Sequence, residues 1–162
     1  MNNLIIEKIW QDEVEPFGDF VFIAESKLAR VKTTFYESEE NIIKLSELLE
    51  KFATNQIKDM YWDSQYSQYG SDIIEFYIKG FYTDSAGHIC FEIFAEIQDN
   101  KYYNDKPMNQ KRKLFTKKNY MNVNLSKHQI CFYVNNIEPQ SLIEFSSKLK
   151  NIQLNEEVKI VN

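Results

Sequence analysis

Glycine and proline are scarce in this 162-residue chain, at four and three residues. That scarcity excludes collagen-like and low-complexity classes. Cysteine is scarcer still: two residues in a chain this long do not make a disulfide scaffold. With two histidines there is little material for a catalytic triad. The chain also lacks a Gly-rich phosphate loop, a nucleophile elbow and a His-Glu-x-x-His helix. No apolar run approaches the roughly 20 residues needed to cross a bilayer. Met1-Asn2-Asn3-Leu4 shows no basic region leading into an apolar segment, so cytoplasmic residence without membrane contact is the expectation.

Aromatic residues are abundant, with twelve Phe and ten Tyr in a composition that is 43% hydrophobic. This is globular chemistry, and the length predicts one domain over 1–162. The net charge of −5 is unevenly spread: residues 1–100 carry 19 acids against 8 bases, and residues 101–162 carry 5 against 11. Such asymmetry predicts an acidic face and a basic edge, each of which could also be ordinary solvated surface.

The strongest local pattern is a hairpin over about 73–97. Ile89, Phe91, Ile93, Ala95 and Ile97 alternate with Cys90, Glu92, Phe94 and Glu96. Thr83 to Gly87 supplies turn chemistry. Upstream, Leu4–Trp10, Asp19–Glu25 and Ala29–Tyr36 read as strands. The period then changes to helical over 39–53: Ser38 can cap the first amides, and Ile42, Leu45, Leu49 and Phe52 form a stripe. That stripe should cover Phe91 and Ile93. Thr54 to Ser71 shows no clear period and reads as a long connection, with room for a short helical turn. Downstream, Leu114–Val123 is a weakly patterned strand and Gln129–Val134 a firmer one. A second helix spans about 139–151, opened by Pro139 and striped by Leu142, Phe145 and Leu149. Val158–Val161 can add an edge strand. The expected fold is α+β: a mainly antiparallel sheet of about five to seven strands with two principal helices against it.

Three constellations bear on chemistry. Glu92 and Glu96 share a strand face, which is either a carboxylate pair or the solvent side of a half-exposed sheet; the second reading is favoured. His88, Cys90, His128 and Cys131 hold every histidine and cysteine, as a tetrahedral zinc site would need. A strand at Leu114–Val123 between the two pairs would hold them roughly 9–10 Å apart, too far for one ion. No metal, cofactor or catalytic residue is therefore expected. Lys111 to Lys118 places five cations in eight residues, suited to nucleic acid or to guarding a sheet edge. The overall acidity favours the latter, so nucleic acid is not an expected partner.

The order of segments carries a resemblance. A capped helix leads to Gly87-His88-Ile89-Cys90-Phe91-Glu92-Ile93, and Ile130-Cys131-Phe132-Tyr133-Val134 later runs into Pro139 to Leu149. This resembles small immunity proteins of bacterial polymorphic toxin systems, including those paired with cell-wall-associated toxins, over about residues 19–150. The resemblance implies a non-enzymatic inhibitor that binds and blocks a cognate toxin domain; the chain itself is expected as a monomer or homodimer. The rivals are a small ligand-binding domain or enzyme with a pocket between sheet and helices, and a scaffold or assembly component. Inhibition of a nuclease would need carboxylates to meet a basic cleft and aromatics to anchor the contact. Asp59, Tyr61, Trp62, Asp63, Tyr66, Tyr69 and Asp72 form the densest such mixture, with Trp62 as the anchor if they bind a partner; the other reading is an irregular segment whose aromatics pack on the sheet.

Overall fold

A computed structural model of the chain describes residues 3–26, 30–65, 73–98 and 127–161. Three strands open the fold: β1 (Asn3–Gln11), β2 (Phe17–Glu25) and β3 (Arg30–Ser38). Helix α1 (Glu39–Ala53) and the short strand β4 (Asp59–Asp63) follow. The central hairpin is β5 (Ile73–Tyr82) and β6 (Ile89–Gln98). Then come β7 (Lys127–Ile137), helix α2 (Pro139–Leu149) and β8 (Glu157–Val161). The fold is α+β, and its eight described strands form two antiparallel four-stranded sheets, ordered β3-β2-β1-β8 and β4-β5-β6-β7.

Local chemistry explains the helices. Ser38 Oγ accepts the Asn41 N–H at 3.1 Å, and Glu39 and Glu40 sit at the positive end of the α1 dipole. Pro139 occupies the first turn of α2, where no amide hydrogen is needed. The two helices pack on each other, with α1 also meeting β3 and β4 and α2 meeting β8.

One core joins the inner faces of both sheets to the helix stripes. Leu45, Leu49 and Phe52 are buried with Phe91 and Ile93, and Phe52 meets Phe91 with ring centroids 6.2 Å apart. From the first sheet, Phe22 and Phe35 meet Phe76 of the second at 5.1 and 5.0 Å. Burying large rings at these distances adds edge and stacking attraction to the area removed from water. No helix among the described residues is long and apolar enough to cross a membrane.

Two expectations need correction. Thr54 to Ser71 contains strand β4, which pairs with β5 through Tyr61 opposite Lys79 and burial alternating along Asp59–Asp63. In addition, β6 bonds directly to β7, so no strand separates them. The segment Leu114–Val123 lies outside the described residues.

Candidate functional site

The second sheet has an inner face of Met60, Trp62, Phe76, Ile78, Phe91, Ile93 and Val134, all buried. Its outer face is ordered by register. Asp63, Tyr77, Phe94 and Cys131 form one row across the four strands. Tyr61, Lys79, Glu92 and Tyr133 form the next, and Asp59, Phe81 and Cys90 continue a third. Period-two alternation puts these residues together, because every second side chain shares a face.

The aromatic groups touch one another. Tyr61 lies 5.6 Å from Tyr77, and Tyr77 stacks on Phe94 at 4.9 Å with ring planes 13° apart. Tyr61 and Tyr133 are half exposed, at 50% and 49%, and Phe81 is also exposed. Lys79 Nζ stands 4.7 Å from the Tyr77 ring. Glu92 is the hub: it accepts from Tyr133 Oη at 2.9 Å, Tyr77 Oη at 3.1 Å and Lys79 Nζ at 3.2 Å. Donation by the Tyr133 hydroxyl, then by Lys79, holds the Glu92 carboxyl below its ordinary range. The same bond raises Tyr133, whereas partial burial is the main cause for Tyr77. Glu92 is thus a fixed anion among donors, which suits recognition and not proton transfer. Glu96 accepts from Gln129 Nε2 at 2.8 Å along the same face.

The residues expected to bind a partner separate here. Asp59, Tyr61 and Asp63 are exposed on β4 and belong to the outer face. Trp62 departs from the expectation. It is 3% exposed, packs edge-on against Phe35 and Phe76, and donates its indole N–H to the Asn41 carbonyl at 3.0 Å. Its neighbour's outward direction dictates this: on a strand, Tyr61 outside puts Trp62 inside. Tyr66, Tyr69 and Asp72 lie outside the described residues.

The alternation of β6 already puts Phe94 on the solvent side with Glu92 and Glu96, whereas sequence reasoning does not single out Tyr77 and Tyr133 as surface groups. In the register Tyr77 lies opposite Asp63 and Tyr133 opposite Glu92. Sequence reasoning also passed over a second acidic-aromatic patch at the β1–β2 turn. There Trp10 is 44% exposed, and Tyr36 stacks on Phe17 at 5.3 Å. Partial desolvation and then Asp12, Asp19 and Glu15 raise the Tyr36 hydroxyl.

The histidines and cysteines do not converge. His128 pairs in register with Ile97 at one end of β6, whereas His88 immediately precedes its other end. Cys131 sits opposite Phe94, four residues along β6 from Cys90, or roughly 13 Å of strand. Burial pushes the Cys90 thiol up to about 11. No group of three metal-binding side chains occurs among the described residues. The basic stretch Lys111 to Lys118 lies outside them.

Comparison with known proteins gives no family assignment: no protein-family model, curated protein or solved structure matches this chain.

Proposed function

We propose that this protein is a non-enzymatic inhibitor that binds a bacterial toxin domain, a nuclease, and covers its active cleft. The observation that carries the reading is the outer face of the second sheet. Asp59, Asp63, Glu75, Glu92 and Glu96 share it with Lys79 around the Tyr61–Tyr77–Phe94 stack and Tyr133. A nuclease cleft is lined with cations that hold phosphates. Carboxylates of this density attract such a surface and reject acidic ones, and clustered tyrosines anchor the contact once water is displaced. Tyr77, Lys79, Glu92 and Tyr133 are already fixed by cross-strand bonds, so these side chains lose little conformational entropy on docking. The resemblance to immunity proteins supplies the toxin as the basic partner, encountered in the cytoplasm of the cell being protected.

The test is co-purification with the product of the neighbouring reading frame, which this reading expects to carry the toxin domain, followed by titration of variants. Tyr61→Ala should weaken binding by about 2 kcal/mol or more and leave the melting temperature nearly unchanged. Raised salt should slow association more than it speeds dissociation. A loss on Trp10→Ala with none on Tyr61→Ala would move the interface to the β1–β2 turn. Failure to bind the neighbouring toxin would sink the inhibitor reading.

A further inference from the structure

Strand β3 ends the first sheet, and among the described residues no strand lies beyond it. It is nine residues long, against five in β8 at the other end. Every second residue of an antiparallel strand directs its main-chain N–H and C=O away from its neighbour, so one side of β3 offers an unpaired row. Edges are commonly guarded by a bulge, a proline, extreme shortness or an inward charge. The register of β3 against β2 runs without a shift from Arg30 opposite Glu25 to Ser38 opposite Phe17, and the strand holds no proline. Its inward positions are Val31, Thr33, Phe35 and Glu37, and the Glu37 carboxylate is bound within the fold by Ser38, Ser64 and Gln65.

The two halves of β3 differ in charge. In the first, Arg30 and Lys32 stand exposed on the outer face, and Arg30 lies 3.9 Å from Glu25. With Glu25 counted, a net positive charge remains. In the second half, Tyr36 sits opposite Asp19 and stacks on Phe17 at 5.3 Å. Phe17 closes the turn that carries two more acids: its N–H donates to the Glu15 carbonyl at 2.8 Å, and its own carbonyl accepts the Asp12 N–H at 2.9 Å. Trp10 extends the aromatic group, 6.5 Å from Tyr36. A strand that is cationic at one end and acidic and aromatic at the other is complementary to its own antiparallel copy.

We propose that two copies of this chain pair through β3, antiparallel about a two-fold axis at Thr33, so that their first sheets become one sheet of eight strands. In that register Arg30 of each copy lies opposite Tyr36 of the other, with Asp19 one strand further on. The guanidinium then has a ring to cover and a carboxylate to meet. On the inward side Val31 lies opposite Phe35 and Thr33 opposite Thr33, pairs that suit neighbouring strands. An axis one residue later, at Thr34, would instead set Val31 against Glu37. Arg30 and Lys32 repel a basic or apolar edge and fit this one, so the same cations guard the strand and select its partner. The acidic face of the second sheet takes no part, and the pairing stands or falls independently of toxin binding.

The experiment is sedimentation velocity of the full chain over a concentration series. A reversible dimer is expected, with a dissociation constant of about 100 μM or tighter, weakened by added salt. In a mixture of nitrogen-labelled and carbon-labelled copies, isotope-filtered NMR should show Val31 of one copy beside Phe35 of the other. Arg30→Glu and Asp19→Lys should each weaken self-association about tenfold or more. Mixed in equal amounts, the two variants recover both charge pairs in a heterodimer, which should form within about threefold of the wild-type affinity. A loss of folding cannot produce that rescue. If Asp19→Lys does not fold, the contact between Val31 and Phe35 decides alone. A chain that stays monomeric, intermolecular contacts at β8 or any edge other than β3, or folded variants that do not associate when mixed would overturn the pairing.

Discussion

The indole N–H of Trp62 donates to the main-chain carbonyl of Asn41 at 3.0 Å, fastening the edge strand β4 to the first turn of α1. Asn41 returns the contact, its Nδ2 donating to the Asp63 carbonyl at 3.1 Å. The two bonds close a ring between helix and strand, with Phe35 of the other sheet packed against the indole at 6.1 Å. One side chain thus joins three elements.

Trp62→Ala should therefore be a stability variant. Removing a buried aromatic leaves a cavity and costs about 3–5 kcal/mol. Urea unfolding should show the loss as a lower midpoint. A cost below about 1 kcal/mol would mean that β4 can let go of the helix without consequence.

Gly80 tests the packing from the other side. A Cβ there would lie 2.7 Å from Met60 Cγ and 2.8 Å from both Phe52 Cε1 and Phe91 Cε1. Methionine can move aside, but two rings held in the core cannot do so cheaply. Gly80→Ala should cost about 1–3 kcal/mol by overpacking. An alanine variant as stable as wild type would show that these rings shift freely.

Much of this arrangement is written in local pattern. Ser38 followed by two glutamates marked the start of α1, and alternation from Ile89 to Ile97 marked β6 and its buried face. β4 was not legible because Met60, Tyr61 and Trp62 are all large and partly apolar. Five residues give too short a window to tell which of them faces in. That same ambiguity left open which of Tyr61 and Trp62 faces outward, since a one-residue step separates them; the structure buries Trp62 and exposes Tyr61. The division into two sheets depends on long-range pairing, such as Ile5 with Lys159, which no local window contains. The Lys8–Glu39 ion pair was hidden for the same reason, being set by a bulge in β1 and a helix start 31 positions apart.

His88 makes part of the stability dependent on pH. Its Nδ1 lies 2.6 Å from Asp84 Oδ2, and its Nε2 is 3.8 Å from Glu138 Oε1 beside α2. The bond to Asp84 raises the His88 pKa above its ordinary 6.5, and the bond to His88 lowers the Asp84 carboxyl below 3.8. A raised histidine contributes fully below its unfolded value and fades as pH rises through the folded one. A lowered carboxylate contributes fully above its unfolded value and fades as pH falls through the folded one. The contact should be strongest between these limits, near pH 5–6. In denaturant titrations, wild type should exceed His88→Asn most in that window, and the gap should narrow by about pH 9. A gap independent of pH would show that the imidazole acts by shape alone.

Glu37 closes the end of β3 and should be intolerant even of its own amide. Alternation from Val31 through Thr33 and Phe35 turns it inward, and it is fully buried. Four donors meet its carboxylate. Oε1 accepts from the Ser38 N–H at 2.8 Å and its hydroxyl at 3.3 Å. Oε2 accepts from the Ser64 hydroxyl at 2.9 Å and the Gln65 N–H at 2.8 Å. The two oxygens therefore join the capping residue of α1 to the segment leaving β4. Glutamine has the same shape but replaces one oxygen by an NH₂ group. Whichever way the amide turns, that group faces donors on one side, and a main-chain N–H loses its acceptor. Losing hydrogen bonds to a charged acceptor, with a buried donor left unmet, costs about 1.5–3 kcal/mol. Glu37→Gln should lower the unfolding free energy by that amount, read from a lower urea midpoint at unchanged slope. Amide exchange at either Ser38 or Gln65 should also speed up, according to which side the NH₂ takes. If stability changes by less than about 0.5 kcal/mol and both amides remain protected, other acceptors must serve these donors and the carboxylate is dispensable.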